Sequence, residues 1–120
     1  AFLLEGDRRV IFGAELEREL IAVLRRFLSI QRQLGVEPPL FIMLSLIGVA
    51  GYSMDTTRLR PARLYNAPID RDTLVVPEVM IDTFEIDPAQ VLKPAFDAVW
   101  NAAGWPGSMS YNAEGQWVGY

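Results

Sequence analysis

The stretch at 38–54, PPLFIMLSLIGVAGYSM, limits what this chain can fold into more than any other part of it. Between Leu40 and Ala50 it carries one hydroxyl, at Ser45, and no charge. On the strand period of two, Leu40, Ile42, Leu44 and Leu46 face one way, and Phe41, Met43, Ile47 and Val49 the other. Both faces are apolar, and such a strand belongs inside a sheet covered above and below. Eleven residues fall short of the about 20 that a helix needs to span a bilayer. A short buried helix has the same composition, and periodicity does not separate the two. Pro38 and Pro39 at the entry, with Gly48 and Gly51 at the exit, favour the strand. The expectation is an interior strand over 40–49, in which a charge at Phe41 or at Ile42 would find no partner.

The rest of the chain has to supply that cover. Its 120 residues are enough for one domain with a real core, and 51% hydrophobic against 22% charged fits a folded protein. Without a signal peptide or a membrane span, the sequence reads as soluble and cytoplasmic. Cysteine is absent, which excludes disulfides and thiolate metal sites, and so is histidine, the commonest general base and zinc ligand. No cofactor is implied. The chain opens at Ala1 in what reads as mid-strand, as expected of the C-terminal part of a longer protein or of a processed start. A net charge of −4 offers no global attraction to nucleic acid. Ten of the eleven basic residues are arginine, which GC-rich coding explains as well as phosphate binding does.

Residues 2–12 read as a hairpin turning at Gly6 and Asp7. A helix follows over 14–34, with Leu16, Leu20, Val23, Leu24, Phe27 and Leu28 forming a wide apolar arc. Glu15, Glu17 and Glu19 sit where the helix dipole favours acids, and Gly35 suits the left-handed residue past the end. Arg18, Arg25 and Arg32 line up on the polar face at intervals of seven, with Arg26 beside them. They make either a stripe for nucleic acid or an acidic partner, or a solvated face paired weakly with Glu15.

Between 55 and 72 runs a long connection holding Arg58, Arg60 and Arg63, flanked by Tyr52 and Tyr65. Arginines among aromatics suit a phosphate or a stacked base, so these five are the candidate ligand-binding residues. Strand patterns at 73–76 and 79–84 flank Pro77, which cannot donate to a ladder and marks an edge or a bulge. Asp87 and Pro88 form a helix start, and Leu92, Ala95, Phe96, Val99 and Ala103 make the next apolar stripe, with Trp100 at its border. Pro94 predicts a short first turn, then a main helix from Lys93 ended by Gly104 and Pro106. Tyr111, Trp117 and Tyr120 would anchor the tail onto the core or face a partner. The order strand, helix, strand, strand, helix predicts an α+β or α/β domain. Its mixed sheet would have four to five strands with two main helices packed on it. If the early hairpin shared that sheet with the 40–49 strand, the helix between them would be a right-handed crossover.

No catalytic motif is complete. Pro68, Asp70 and Glu78 are similar to the PD…ExK arrangement of metal-dependent nucleases, but Met80 stands where the lysine is needed. The GVAG at 48–51 lacks the GK[ST] of a phosphate loop and is a strand exit. Asp70, Asp72, Asp82, Glu85 and Asp87 are spread over a loop, a strand and a cap. The chain is therefore expected not to be an enzyme, and no catalytic or metal-binding residue is assigned.

Two tracts carry a resemblance: QRQLGVEPPLFIMLSLIGVAGYSM at 31–54 and VLKPAFDAVWNAAGWPGS at 91–108, with PIDRDTLVVPEV at 68–79 between them. Together they resemble the region C-terminal to a Schlafen AlbA-type domain, in bacterial proteins commonly labelled ATP-binding or helix-turn-helix transcriptional regulators. The resemblance covers most of the chain. It implies an accessory domain for interaction, assembly or sensing, with the DNA- or nucleotide-binding part upstream, and it assigns no functional residue. A homodimer, or contact with that upstream domain, is the expected partnership. DNA would be bound only through the full-length protein, and no membrane is involved. A ligand- or nucleotide-binding domain using the 52–65 loop is the alternative. The mean hydropathy of +0.17 is high for a two-layer domain, which predicts apolar surface left outside.

Overall fold

The computed structural model describes residues 9–55 and 66–120, which form an α+β domain of three helices and six short strands. The long helix α1 runs over Gly13–Gln33, within a residue of its expected bounds. It ends because Gly35 adopts φ 78°, which lets its amide reach the Arg32 carbonyl at 3.1 Å and the Val36 amide reach that of Gln31 at 3.1 Å. Those two bonds satisfy carbonyls that the last turn would otherwise orphan. The second helical stretch is broken as Pro94 demands, into α2 (Pro88–Val91) and α3 (Lys93–Ala102). Asp87 caps it, its Oδ1 accepting from the Ala89 amide at 3.1 Å.

The strands pair into three two-stranded ladders. β1 (Val10–Ile11) runs parallel to β4 (Ser53–Met54), in register Val10 to Ser53. The early strand thus pairs with 53–54 and not with the apolar stretch, and residues 2–8 of the expected hairpin lie outside the described residues. The apolar stretch is two strands, β2 (Leu40–Ile42) and β3 (Ser45–Ile47). They pair antiparallel with β6 (Val79–Ile81) and β5 (Thr73–Val75) respectively. Leu40 faces Ile81 and Ile42 faces Val79; beyond the break Ser45 faces Val75 and Ile47 faces Thr73. Two residues on one strand, 43–44, therefore oppose three on the other, 76–78. The extra residue is a bulge at Pro77, bridged by the Val76 amide bonding the Leu44 carbonyl at 3.1 Å. The four strands are one twisted ribbon, 40–47 against 73–81.

This arrangement corrects the expectation of an interior strand. The ribbon has one covered face. Leu74, Val76, Val79 and Ile81 are buried with Leu40, Ile42, Leu44 and Leu46 packed beside them, whereas Phe41, Met43, Ile47, Val75 and Met80 point out. Among the described residues neither strand of the ribbon has a second neighbour and nothing lies over the outward face. Ile81→Asp should abolish folding, because a charge there is enclosed with no partner. Phe41→Asp should fold with stability within about 0.5 kcal/mol of the parent in dilute solution. Urea denaturation of the pair checks this, and loss of folding in Phe41→Asp would restore the doubly covered strand.

The core lies between the inner ribbon face, α1 and α3. Its largest enclosed residues are Trp100, Phe96, Ile11, Met54, Ile69 and Ile81. Gly13 is needed at the start of α1, because a Cβ there would stand 2.6 Å from Trp100 Cζ2 and 2.9 Å from Met54 Cε.

Candidate functional site

The α1 arginines share a face, as their spacing requires, and the fold already uses two of them. The Arg18 guanidinium stacks 5.4 Å from the centre of the Trp117 ring. Arg32 sits 5.9 Å from the Phe84 ring centre and 3.3 Å from Glu85 Oε1, in an exposed pair. A hydrogen bond from the Thr83 hydroxyl at 2.7 Å, then the Arg32 charge, hold the Glu85 carboxyl below the usual range. Arg25 lies between them and lines two shallow grooves, one with Arg18 and Trp117, the other with Arg32 and Phe84. Among the described residues its guanidinium has no partner. Three arginines in line are therefore one open cation between two that are engaged, Arg18 by an indole ring and Arg32 by a ring and an acid, and not a continuous positive track.

Of the loop candidates, Arg58, Arg60, Arg63 and Tyr65 lie outside the described residues. Tyr52 is half-buried against the core, and its backbone bonds Val49 at 3.0 Å and Ile69 at 2.7 Å. The acids do not converge. Asp70 pairs with its neighbour Arg71 at 3.3 Å, Asp87 caps α2, and Glu85 is held by Thr83 and Arg32. Among the described residues no three His, Cys, Asp or Glu side chains gather closely enough to hold a metal ion.

The most heavily bonded side chain is one that sequence reasoning treated only as a favourable charge. Glu17 is 1% exposed, and four donors converge on its carboxyl. Trp100 Nε1 (3.2 Å) and the Ser108 hydroxyl donate to Oε2; Trp117 Nε1 (3.3 Å) and the Ser110 hydroxyl donate to Oε1. Burial pushes the carboxyl above its usual range, and the four hydrogen bonds oppose that push without cancelling it. Its position was legible in one respect: Ala14, Glu17, Ile21, Leu24 and Leu28 follow the 3-4 spacing of the buried stripe. The donors come from 83 to 100 residues away, beyond any local pattern. Enclosed in this way, Glu17 offers no free lone pair to a substrate. It fastens the C-terminal tail to α1, as the tail aromatics were expected to do. Tyr120 adds a bond to the Asp55 carbonyl at 3.3 Å, and Tyr111 one to the Ala89 carbonyl.

What remains open is apolar. On the outward ribbon face Met43 and Ile47 are each 79% exposed, Val75 72%, Met80 58% and Phe41 53%. Phe41 and Met80 are a cross-strand pair, so their side chains form one patch at one end of the ribbon. Along α1, Val23, Phe27, Ile30 and Leu34 form a second apolar line that the core leaves partly exposed. Beside it a groove of about 210 Å³ is lined by Leu20, Val23, Phe27, Ile42, Leu44 and Leu92. Monomeric proteins seldom leave so many large apolar side chains adjacent and uncovered. No described helix is long and apolar enough to cross a membrane. Compared with family models, curated proteins and solved structures, the chain gives no match in any of the three.

Proposed function

We propose that this domain is a non-catalytic interaction and assembly module of a bacterial regulatory protein of the cytoplasm. The observation that carries the reading is the outward ribbon face, where five large apolar residues stand more than half exposed. A surface that costs solubility is retained where it is covered in use. Among the described residues, Glu17, Arg18 and Arg32 serve the fold, and the outward ribbon face is the most exposed of the apolar surfaces left without an internal role. The resemblance to the region following Schlafen AlbA-type domains is compatible with this reading, since it implies nucleotide or DNA binding by an upstream domain and an accessory role, in interaction, assembly or sensing, for this one.

A thermal-shift panel of nucleotides, inorganic anions and short DNA tests the reading. An assembly module should give no response to any of them. A ligand present at a hundredfold its dissociation constant would add about 2.7 kcal/mol of stability. A shift of that size, abolished by Arg25→Ala or by Arg60→Ala, would overturn the proposal in favour of a ligand-binding domain.

A further inference from the structure

We infer that the outward ribbon face is the contact between two copies of this chain, stacked about a two-fold axis with their strands antiparallel across the interface. The inference rests on the assembly reading and names its partner. Shape is the first argument. Phe41 and Met80 make one end of the face bulky, while toward the other end each pair sets one small side chain beside an aliphatic one, Ser45 opposite Val75 and Thr73 opposite Ile47, so that end is less filled. A copy turned through the two-fold lays its bulky end over the less filled end of its mate, the interdigitation that packed sheets require. With both copies oriented alike, Phe41 would meet Phe41 and a gap would open at Ser45.

Area is the second argument. The five exposed apolar residues present roughly 600 Å² between them, and with the polar rim of the ribbon this approaches the about 800 Å² per partner of a standard interface. Charge is the third. No lysine or arginine occurs in 40–47 or 72–82, and Asp72, Glu78 and Asp82 rim the face. An anionic lipid surface would be repelled by that rim, whereas a second copy covers the uncharged centre and leaves the acids in solvent.

Met43 lies at mid-face, where the two-fold brings the copies' equivalent residues together. Sedimentation of the 120-residue chain at about 100 μM should show a dimer, the state expected for a micromolar dissociation constant. Met43→Glu and Met43→Lys should each fold, with unchanged circular dichroism, and each raise that constant at least about a hundredfold by setting like charges against one another. An equimolar mixture of the two variants should associate again, because the opposed charges are then complementary. A parent chain that is monomeric at this concentration overturns the inference. So does a dimer indifferent to both substitutions, which would place the contact on the α1 groove or along a ribbon edge. Neither result produces a ligand-induced thermal shift, so failure of this inference is distinguishable from failure of the assembly reading.

Discussion

Trp100→Ala should cost about 3–5 kcal/mol of stability, at least as much as Phe96→Ala. The helical stripe placed Trp100 at the border of the buried face and Phe96 at its centre, which would rank the two the other way. In the structure both are 1% exposed. Trp100 meets Trp105 edge-to-face at 5.2 Å and Tyr120 at 5.6 Å, and its ring fills the space that Gly13 leaves beside α1. Its removal opens the largest enclosed volume in the domain and frees two aromatic neighbours. It also removes one donor from Glu17. Trp100→Phe separates these effects: it keeps most of the packing, loses the indole N–H, and should cost about 1–3 kcal/mol. Urea denaturation of the three variants ranks them, and a Trp100→Ala loss smaller than that of Phe96→Ala would return Trp100 to the border.

Glu17→Ala should destabilise the domain by about 2–4 kcal/mol, although it removes a buried acid. The two serine hydroxyls can turn toward each other and toward backbone; the Ser110 amide already bonds Ser108 Oγ at 3.2 Å. Indole N–H groups have no such choice. Trp100 Nε1 would be left enclosed and unbonded, and the tail would lose its main fastening to α1. Glu17→Gln keeps one carbonyl oxygen, which can still accept from Trp100 while its NH2 replaces the oxygen that faced Trp117, and it should cost less than Glu17→Ala at neutral pH.

The same pair of proteins reads the titration. Because the folded carboxyl holds its proton more tightly than the usual 4.5, folding favours the protonated acid. The stability this group contributes is full below about pH 4.5 and is lost as pH rises through the raised folded value. Relative to Glu17→Gln, the parent should weaken across that interval and stay level above it. Other acids titrate in both proteins and drop out of the difference. A parent that gains stability relative to Glu17→Gln as pH rises would mean that the four donors outweigh burial, and that the carboxyl sits below its usual range.

Much of the candidate surface was written locally, but its exposure was not. The alternation in LFIMLSLI identifies two apolar faces, and nothing within those eight residues says that only one is covered. Cover depends on how many layers the remaining chain can supply, and α1 and α3 lie on a single side. The arginine spacing likewise set Arg18, Arg25 and Arg32 on one helix face. The engagement of Arg18 with Trp117, and of Arg32 with Phe84 and Glu85, required segments 52 or more positions away.

By itself the sequence determined the elements whose causes lie within a few residues. Gly35 ends α1, Asp87 with Pro88 starts α2, Pro94 separates α2 from α3, and Pro77 breaks the ribbon with a bulge. Each follows from backbone geometry that a residue imposes on its immediate neighbours. Only the tertiary structure decided that Glu17 is a buried anchor, that Trp100 is the centre of the core, and that Phe41, Met43 and Ile47 face solvent. Those outcomes depend on side chains brought together from opposite ends of the chain, and the solvation of a group is set by everything packed around it rather than by its place in a period.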